Sequence, residues 1–137
     1  SITWFVLEEI CQFLERNPEL ADISISINLP MAQLLEKGFV PRFTSIVNQY
    51  GINHHCICIE FTERAILENF QQTLTIMQQL THEGFRFYLR ADDNGGKMWF
   101  EVVDFEYDWR FQEDMPVLWN EYLQSFELWP IKQIVSA

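Results

Sequence analysis

Four oxygen-bearing side chains follow three hydrophobic segments of the sequence, each near the point where its segment ends. Asn28 comes at the end of the first segment, Glu60 at the end of the second, and Asp92 and Asp93 just after the third. In a barrel of parallel strands, these side chains would emerge at the same end. Amide and carboxylate oxygens suit Mg²⁺ or Mn²⁺, and adjacent aspartates can bridge two such ions for phosphodiester hydrolysis. The pattern therefore predicts a metal site at Asn28, Glu60, Asp92 and Asp93.

The three hydrophobic segments have the pattern of β-strands. Residues 23–29 alternate strictly between apolar and polar side chains, residues 55–61 do the same, and residues 85–89 form a third short run. In the first two strands the polar face carries Asn28 and Glu60, opposite the large aliphatic side chains. The third strand leads into residues 91–96, which are rich in Asp, Asn and Gly and predict a turn.

Helical segments separate these strands. Apolar spacing predicts a helix over residues 4–16, and mostly helical structure over residues 31–50 with breaks at Gly38 and Pro41. Thr62 is placed to cap a further helix. The buried stripe of that helix is predicted to comprise Ile66, Phe70, Leu74, Met77 and Leu80. Regular strand–helix alternation predicts an α/β fold with neighbouring parallel strands in sequence order.

The C-terminal part of the chain has a different pattern. Residues 98–105 predict a strand, and residues 131–135 predict one last short strand. Between them, apolar residues at helical spacing predict a helix that Asp114 would cap, with Pro116 in its first turn. Its apolar stripe would comprise Met115, Leu118, Trp119, Tyr122, Leu123 and Phe126.

Three short motifs resemble successive signatures of the EAL family of bacterial cyclic-di-GMP phosphodiesterases. They are Ser26-Ile27-Asn28-Leu29-Pro30, Glu60-Phe61-Thr62-Glu63 and Asp92-Asp93-Asn94-Gly95. The resemblance covers about residues 1–96 and implies parallel β/α units related to part of a TIM-type (β/α) barrel. It also implies that Asn28, Glu60, Asp92 and Asp93 hold Mg²⁺ or Mn²⁺, that Glu63 anchors the loop with the aspartate pair, and that cyclic-di-GMP is a ligand.

The sequence also departs from the pattern of this family. The Glu-Ala-Leu motif is absent and would lie before Ser1, and the Lys-Ile-Asp motif expected about twenty residues after the aspartate pair is absent too. Arg90 and Ala91 are two extra residues before that pair. We therefore expect a fragment or degenerate module of a cyclic-di-GMP signalling protein that is not catalytically competent as this chain. The alternative is a non-enzymatic α/β interaction module with vestigial motifs.

Simpler interpretations exist for the individual residues. Asn28 beside Pro30 could form only a turn, and the Asp-Asp-Asn-Gly-Gly string is a common turn sequence. Glu63 could be an acidic residue that the helix dipole favours in a first turn. The run from His54 to Cys58 does not predict a zinc site, because strand alternation separates neighbouring side chains and no second ligand pair follows.

Composition limits the classes of partner. A formal net charge of −11 makes DNA or RNA an unfavourable partner, since nucleic-acid binding needs a basic surface. Every apolar run is shorter than the ~20 residues that a membrane span needs, so no membrane contact is expected from this segment. Cys11, Cys56 and Cys58 are odd in number, which favours reduced thiols and a cytoplasmic location.

The chain is predicted to be one domain. Residues 1–96 would form the EAL-like portion, and residues 97–137 a divergent strand–helix segment. Half a barrel leaves strand edges and apolar faces uncovered, which natural proteins rarely tolerate. We therefore expect a homodimer, or contact with another protein, built partly from residues 97–137.

Overall fold

The computed structural model describes residues 2–93, 96–120 and 124–128. Strands and helices alternate in the first part of the chain, and four strands follow one another from residue 86 onward. The helices are α1 (Ile2–Arg16), α2 (Met31–Leu34), α3 (Phe39–Gln49), α4 (Glu63–Glu68) and α5 (Phe70–His82), with short 3₁₀ turns at Pro18–Leu20 and His54–Cys56. The strands are β1 (Ile25–Asn28), β2 (Ile57–Thr62), β3 (Arg86–Asp93), β4 (Gly96–Asp108), β5 (Glu113–Asn120) and β6 (Ser125–Leu128).

The six strands form one sheet in sequence order, β1-β2-β3-β4-β5-β6. The pairs β1–β2 and β2–β3 are parallel, which confirms the prediction of three parallel neighbouring strands. The pairs β3–β4, β4–β5 and β5–β6 are antiparallel. The fold is therefore a mixed α/β fold whose first half consists of parallel β/α units, as in part of a TIM-type barrel.

Helices and strands share one buried core. Leu7 of α1, Phe43 of α3 and Met77 of α5 lie in the same cluster as alternate residues of the strands, such as Ile59 and Phe87. Alternation then directs the intervening strand residues to the opposite face of the sheet. No helix among the described residues is long and apolar enough to cross a membrane.

Local signals in the sequence explain several element ends. The Thr62 hydroxyl accepts a hydrogen bond from the Ala65 backbone N–H at 3.2 Å, which confirms Thr62 as the N-cap of α4. Gly38, with φ +79°, separates α2 from α3, as predicted. The predicted break at Pro41 does not occur. Pro41 lies in the first turn of α3, where a backbone N–H has no helical partner and is not needed.

The predicted turn after the third strand is largely strand. β3 continues to Asp93, which pairs with Gly96, so only Asn94 and Gly95 separate the two strands. An Asn-Gly pair between two strands is the strongest short-range signal for a two-residue hairpin. The aspartates and glycines around this pair make the sequence pattern predict one longer turn instead.

The predicted helix over Met115 to Phe126 is wrong. Residues 113–120 form β5 and residues 125–128 form β6, so Asp114 is not a helix cap. The apolar residues fit a helix by spacing, but β4 offers a long unpaired edge with which β5 forms a ladder, and tertiary pairing overrides local propensity. Pro116 is tolerated because β6 pairs only with residues 117–120, which leaves β5 an edge strand there. Tyr122, Leu123 and the predicted strand over residues 131–135 lie outside the described residues.

Candidate functional site

One row of side chains crosses the sheet on the face opposite the helices. The register pairs Asn28 with Glu60, Glu60 with Tyr88, and Tyr88 with Glu101. Adjacent residues of the same strands, such as Ile59 and Phe87, are buried in the core. The row therefore forms a polar line along the face that the helices leave open.

Asn28 and Glu60 are brought together. They are direct partners on neighbouring parallel strands, where Cα atoms are about 4.8 Å apart. Asn28 is exposed and Glu60 is half-buried, so both side chains are accessible from solvent. An amide and a carboxylate at this spacing can together contact one cation.

Arg86 lies beside this row and is held by two partners. Its guanidinium forms an ion pair with Glu101, with 2.9 Å between Nη2 and Oε1, and donates a hydrogen bond to the Tyr88 hydroxyl at 3.1 Å. Burial alone would lower the pKa of Arg86, but the hydrogen bond to Glu101 and the charge of that carboxylate raise it overall. Arg86 therefore keeps its positive charge in the middle of the open face.

Arg90 occupies the position on β3 that pairs with Thr62, the last residue of β2. Its guanidinium lies 5.9 Å from the centre of the Trp99 ring, close enough for a cation–π contact. Cys58, which pairs with Ser26 and Arg86, is fully buried on the same face. Burial raises the pKa of the Cys58 thiol to about 12, so this thiol is not a thiolate ligand at neutral pH.

Asp92 and Asp93 continue β3 towards the hairpin. The structure describes their backbone, which pairs Asp92 with Lys97 and Asp93 with Gly96. Asp92 is four residues beyond Tyr88, the partner of Glu60, which is about 13 Å along a strand. Their side chains lie outside what the structure describes, so their role as ligands stays a prediction.

Glu63 begins α4, directly after the end of β2. Its side chain is half-buried, and burial raises the pKa of its carboxyl group above the usual value. This location is compatible both with a first-turn acid and with the predicted loop anchor.

Among the side chains that the structure describes, which exclude those of residues 91–98, no group of three or more His, Cys, Asp or Glu residues could hold a metal ion. Arg86 and Arg90 also bring positive charge to the face that carries Glu60. His54 is engaged elsewhere, since its ring stacks on Phe85 at 4.4 Å between ring centres and its Nε2 lies 2.6 Å from Asn48 Oδ1.

Arg86, Tyr88 and Glu101 are not among the site residues that the sequence predicts. A signal for the first two was available, because Arg86, Tyr88 and Arg90 alternate with Phe87 and Leu89 as on a half-buried strand. Glu101 could be assigned to this row only after the antiparallel register of β4 was known.

The chain is similar to several cyclic-di-GMP phosphodiesterases. It is 31% identical over 87 residues to the probable cyclic di-GMP phosphodiesterase PdeI of Escherichia coli, a match that covers 64% of this chain and 11% of that protein. It is 32% identical over 91 residues to the cyclic di-GMP phosphodiesterase PdeB of Shewanella oneidensis, covering 66% of this chain and 10% of that protein. The matches thus span about a tenth of the length of these curated relatives.

Solved structures share the fold. The PaMucR phosphodiesterase in its c-di-GMP complex matches with a TM-score of 0.58 and 26% identity, over 63% of this chain and 37% of that one. The EAL domain of Mycobacterium smegmatis DcpA matches with a TM-score of 0.60 and 24% identity, over 69% and 43% of the two chains. The family model for the EAL domain matches residues 1–108, which is most of the 137 residues. This chain therefore belongs to the EAL domain family.

Proposed function

We propose that this chain is an EAL-type cyclic-di-GMP signalling domain that does not hydrolyse the dinucleotide by itself. Membership of the family and the likeness to a phosphodiesterase solved with c-di-GMP support the ligand class. The register of β2 and β3 supports the lack of hydrolysis. Tyr88 is the partner of Glu60 and Arg90 is the partner of Thr62, so neither position next to the end of β2 is occupied by an aspartate.

The geometry of the strands disfavours hydrolysis. Oxygen ligands lie about 2.1 Å from a Mg²⁺ ion, and two-metal hydrolysis needs two ions about 4 Å apart. Asp92 lies about 13 Å along β3 from Tyr88, the partner of Glu60. This separation disfavours the binding of one ion by both Glu60 and Asp92. Positive charge from Arg86 and Arg90 further disfavours two divalent cations on this face.

In this proposal Asn28 and Glu60 can hold one Mg²⁺ or Mn²⁺ ion weakly. Asp92 and Asp93 are kept as candidate ligands, and Glu63 as the candidate anchor of their segment. A bound divalent ion would supply positive charge that offsets the charge of a phosphodiester. The accessibility of Asn28 and the pairing of Asn28 with Glu60 support this assignment.

The test is to incubate the purified chain with cyclic-di-GMP and either Mg²⁺ or Mn²⁺ and to measure the linear dinucleotide by chromatography. Glu60→Gln serves as the matched variant, and calorimetry measures binding in both proteins. We expect binding without turnover in the unaltered chain. Turnover that is lost in Glu60→Gln would show that the chain is a competent enzyme.

A second candidate function is that of a non-enzymatic interaction module. Exposed aromatic residues on the antiparallel half of the sheet, such as Trp109 and Phe126, favour it. The absence of both binding and turnover in the same experiment would select this alternative.

In both cases we propose one domain, with residues 1–96 as the EAL-like portion and residues 97–137 as a divergent segment.

We also propose that the domain is a cytoplasmic homodimer that uses part of the divergent segment. The three cysteines are buried and free, which is compatible with a reducing compartment. β1 and β6 are the edges of the described sheet, and Phe126 on β6 is 67% exposed. An edge strand that exposes a large aromatic side chain favours pairing with a second copy.

A further inference from the structure

The hairpin formed by β4 and β5 extends past the rest of the sheet and exposes three aromatic side chains. β3 pairs with β4 only as far as Val102, so the remainder of β4 has β5 as its strand partner. At the end of this hairpin Tyr107, Trp109 and Phe111 are 62%, 78% and 40% exposed. We call residues 104–114 the hairpin tip.

The turn of the hairpin tip is held by a dense set of hydrogen bonds. Asp108 is buried, and its carboxylate accepts bonds from the Arg110 backbone N–H at 2.9 Å and from Arg110 Nη2 at 2.7 Å. The Asp108 carbonyl accepts from the backbone N–H groups of Phe111 and Gln112, at 3.1 and 2.8 Å. The exposed aromatic side chains are therefore presented on an ordered turn, which lowers the entropic cost of binding.

Helix α5 supports the other side of the hairpin tip. Gln71 donates a hydrogen bond to Glu113 at 3.2 Å, and Gln78 donates one to Asp114 at 3.1 Å. Phe70 and Phe111 are also in ring contact, with 6.3 Å between their centres. The hairpin tip is therefore fixed relative to the core.

The charge of the hairpin tip is strongly negative. It contains five carboxylates and one basic residue, Arg110, whose guanidinium is already bound to Asp108. Asp104, Glu106 and Tyr107 are all exposed on this short part of β4. Exposed aromatic rings next to carboxylates match cationic side chains, because Arg and Lys stack on the faces of Trp and Tyr and pair with carboxylates.

We propose that the hairpin tip is a docking surface for an arginine- or lysine-rich segment of a partner protein. Charge complementarity selects this partner over two others. A second copy of the chain would bring an equally acidic hairpin tip to this surface, and an anionic membrane surface would be repelled. This surface is separate from the row that includes Asn28 and Glu60, so the proposal does not depend on cyclic-di-GMP binding.

The test uses a short fluorescent peptide of alternating arginine and leucine as the probe and measures its anisotropy with the full chain at low salt. We expect saturable binding that weakens about tenfold in Trp109→Ala and falls as salt is added. Phe5→Ala is the matched aromatic control, because Phe5 is also largely exposed, at 65%, but lies on α1. It should bind like the unaltered chain.

A pair of charge variants separates a local site from general attraction to an acidic protein. Asp104→Asn/Glu106→Gln and Glu8→Gln/Glu9→Gln remove the same charge, and all four carboxylates are exposed. We expect only the first double variant to weaken binding by more than about threefold. Equal losses in both, unchanged binding in Trp109→Ala, or equally strong adsorption to phosphatidylserine vesicles would overturn the proposal. Unaltered thermal melting of the variants, within about 3 °C, establishes that they are folded.

Discussion

At the scale of single residues, the open face of the sheet combines an expected pair with an unexpected ion pair. Asn28 and Glu60 could be assigned to one face from strand alternation alone, and the register makes them neighbours. Arg86 and Glu101 could not be paired from the sequence, because their contact depends on the antiparallel register of β4. A local pattern thus predicts which face a side chain occupies, whereas its partner depends on topology.

Replacing Arg86 with Gln should lower the free energy of unfolding by about 1 kcal/mol, since the ion pair is partly shielded from solvent. The side chains of Arg86 and Glu101 are 34% and 24% exposed. Arg64→Gln is the control, because its pair with Glu68 is far more exposed and should contribute only about 0.3 kcal/mol. Urea denaturation measures both variants. Equal effects would contradict a specific role for the Arg86 pair.

The folding stability of the chain should depend on pH because of Asp108. The side-chain hydrogen bond from Arg110 holds the pKa of Asp108 below its usual value. A lowered pKa in the folded chain means that the stabilisation is present above the unfolded pKa, about 3.9, and is lost as pH falls through the lower folded value. The difference in melting temperature between the unaltered chain and Asp108→Asn should therefore be constant near neutral pH and shrink below about pH 4. A difference that grows in acid would contradict this.

At the scale of elements, the parallel half follows its local signals and the antiparallel half does not. The strand after Gly84 and the helix capped by Thr62 have consistent spacing, caps and breaks. In β5, Met115, Leu118 and Trp119 satisfy helical spacing, but they also occur in a run of eight residues that can pair with β4. Pairing across the hairpin decides between the two, and a single sequence does not contain that information.

The cap of α4 gives a prediction at this scale. Thr62→Ala should lower the free energy of unfolding by about 1 kcal/mol, because the hydroxyl accepts the Ala65 N–H. Thr62→Ser should retain most of the stability. Thr75→Ala is the matched control, since Thr75 bonds back to the Gln71 carbonyl within α5 and alanine is the better helix former. A similar loss in both alanine variants would contradict the capping role.

At the scale of the whole molecule, parallel β/α units of the EAL domain family continue into an antiparallel extension. The family match ends at residue 108, which is the last residue of β4. β4 pairs with β3, β5 and β6 continue the sheet beyond it, and β1 and β6 are left as the edges of the described sheet. Residues 113–128 therefore change which surfaces are available to partners without changing the parallel core.

The proposed homodimer gives the prediction at this scale. Phe126→Lys should convert the chain to a monomer in light scattering, because a charge on an edge strand opposes pairing with another strand. Phe5→Lys is the control, since Phe5 and Phe126 are 65% and 67% exposed. The control should keep the mass of the unaltered protein. A monomeric unaltered chain at micromolar concentration would contradict the dimer.

β3 pairs Tyr88 with Glu60 on one side and with Glu101 on the other, which keeps the backbone of the aspartate pair away from Asn28 and Glu60. Nuclear Overhauser effects between backbone protons of neighbouring strands measure this register directly. We predict such contacts between Tyr88 and Glu60, between Tyr88 and Glu101, and between Arg90 and Trp99. A register shifted by two residues keeps the same face towards solvent but would bring Asp92 beside Thr62. Contacts between Asp92 and Thr62 would contradict the register described for β2 and β3.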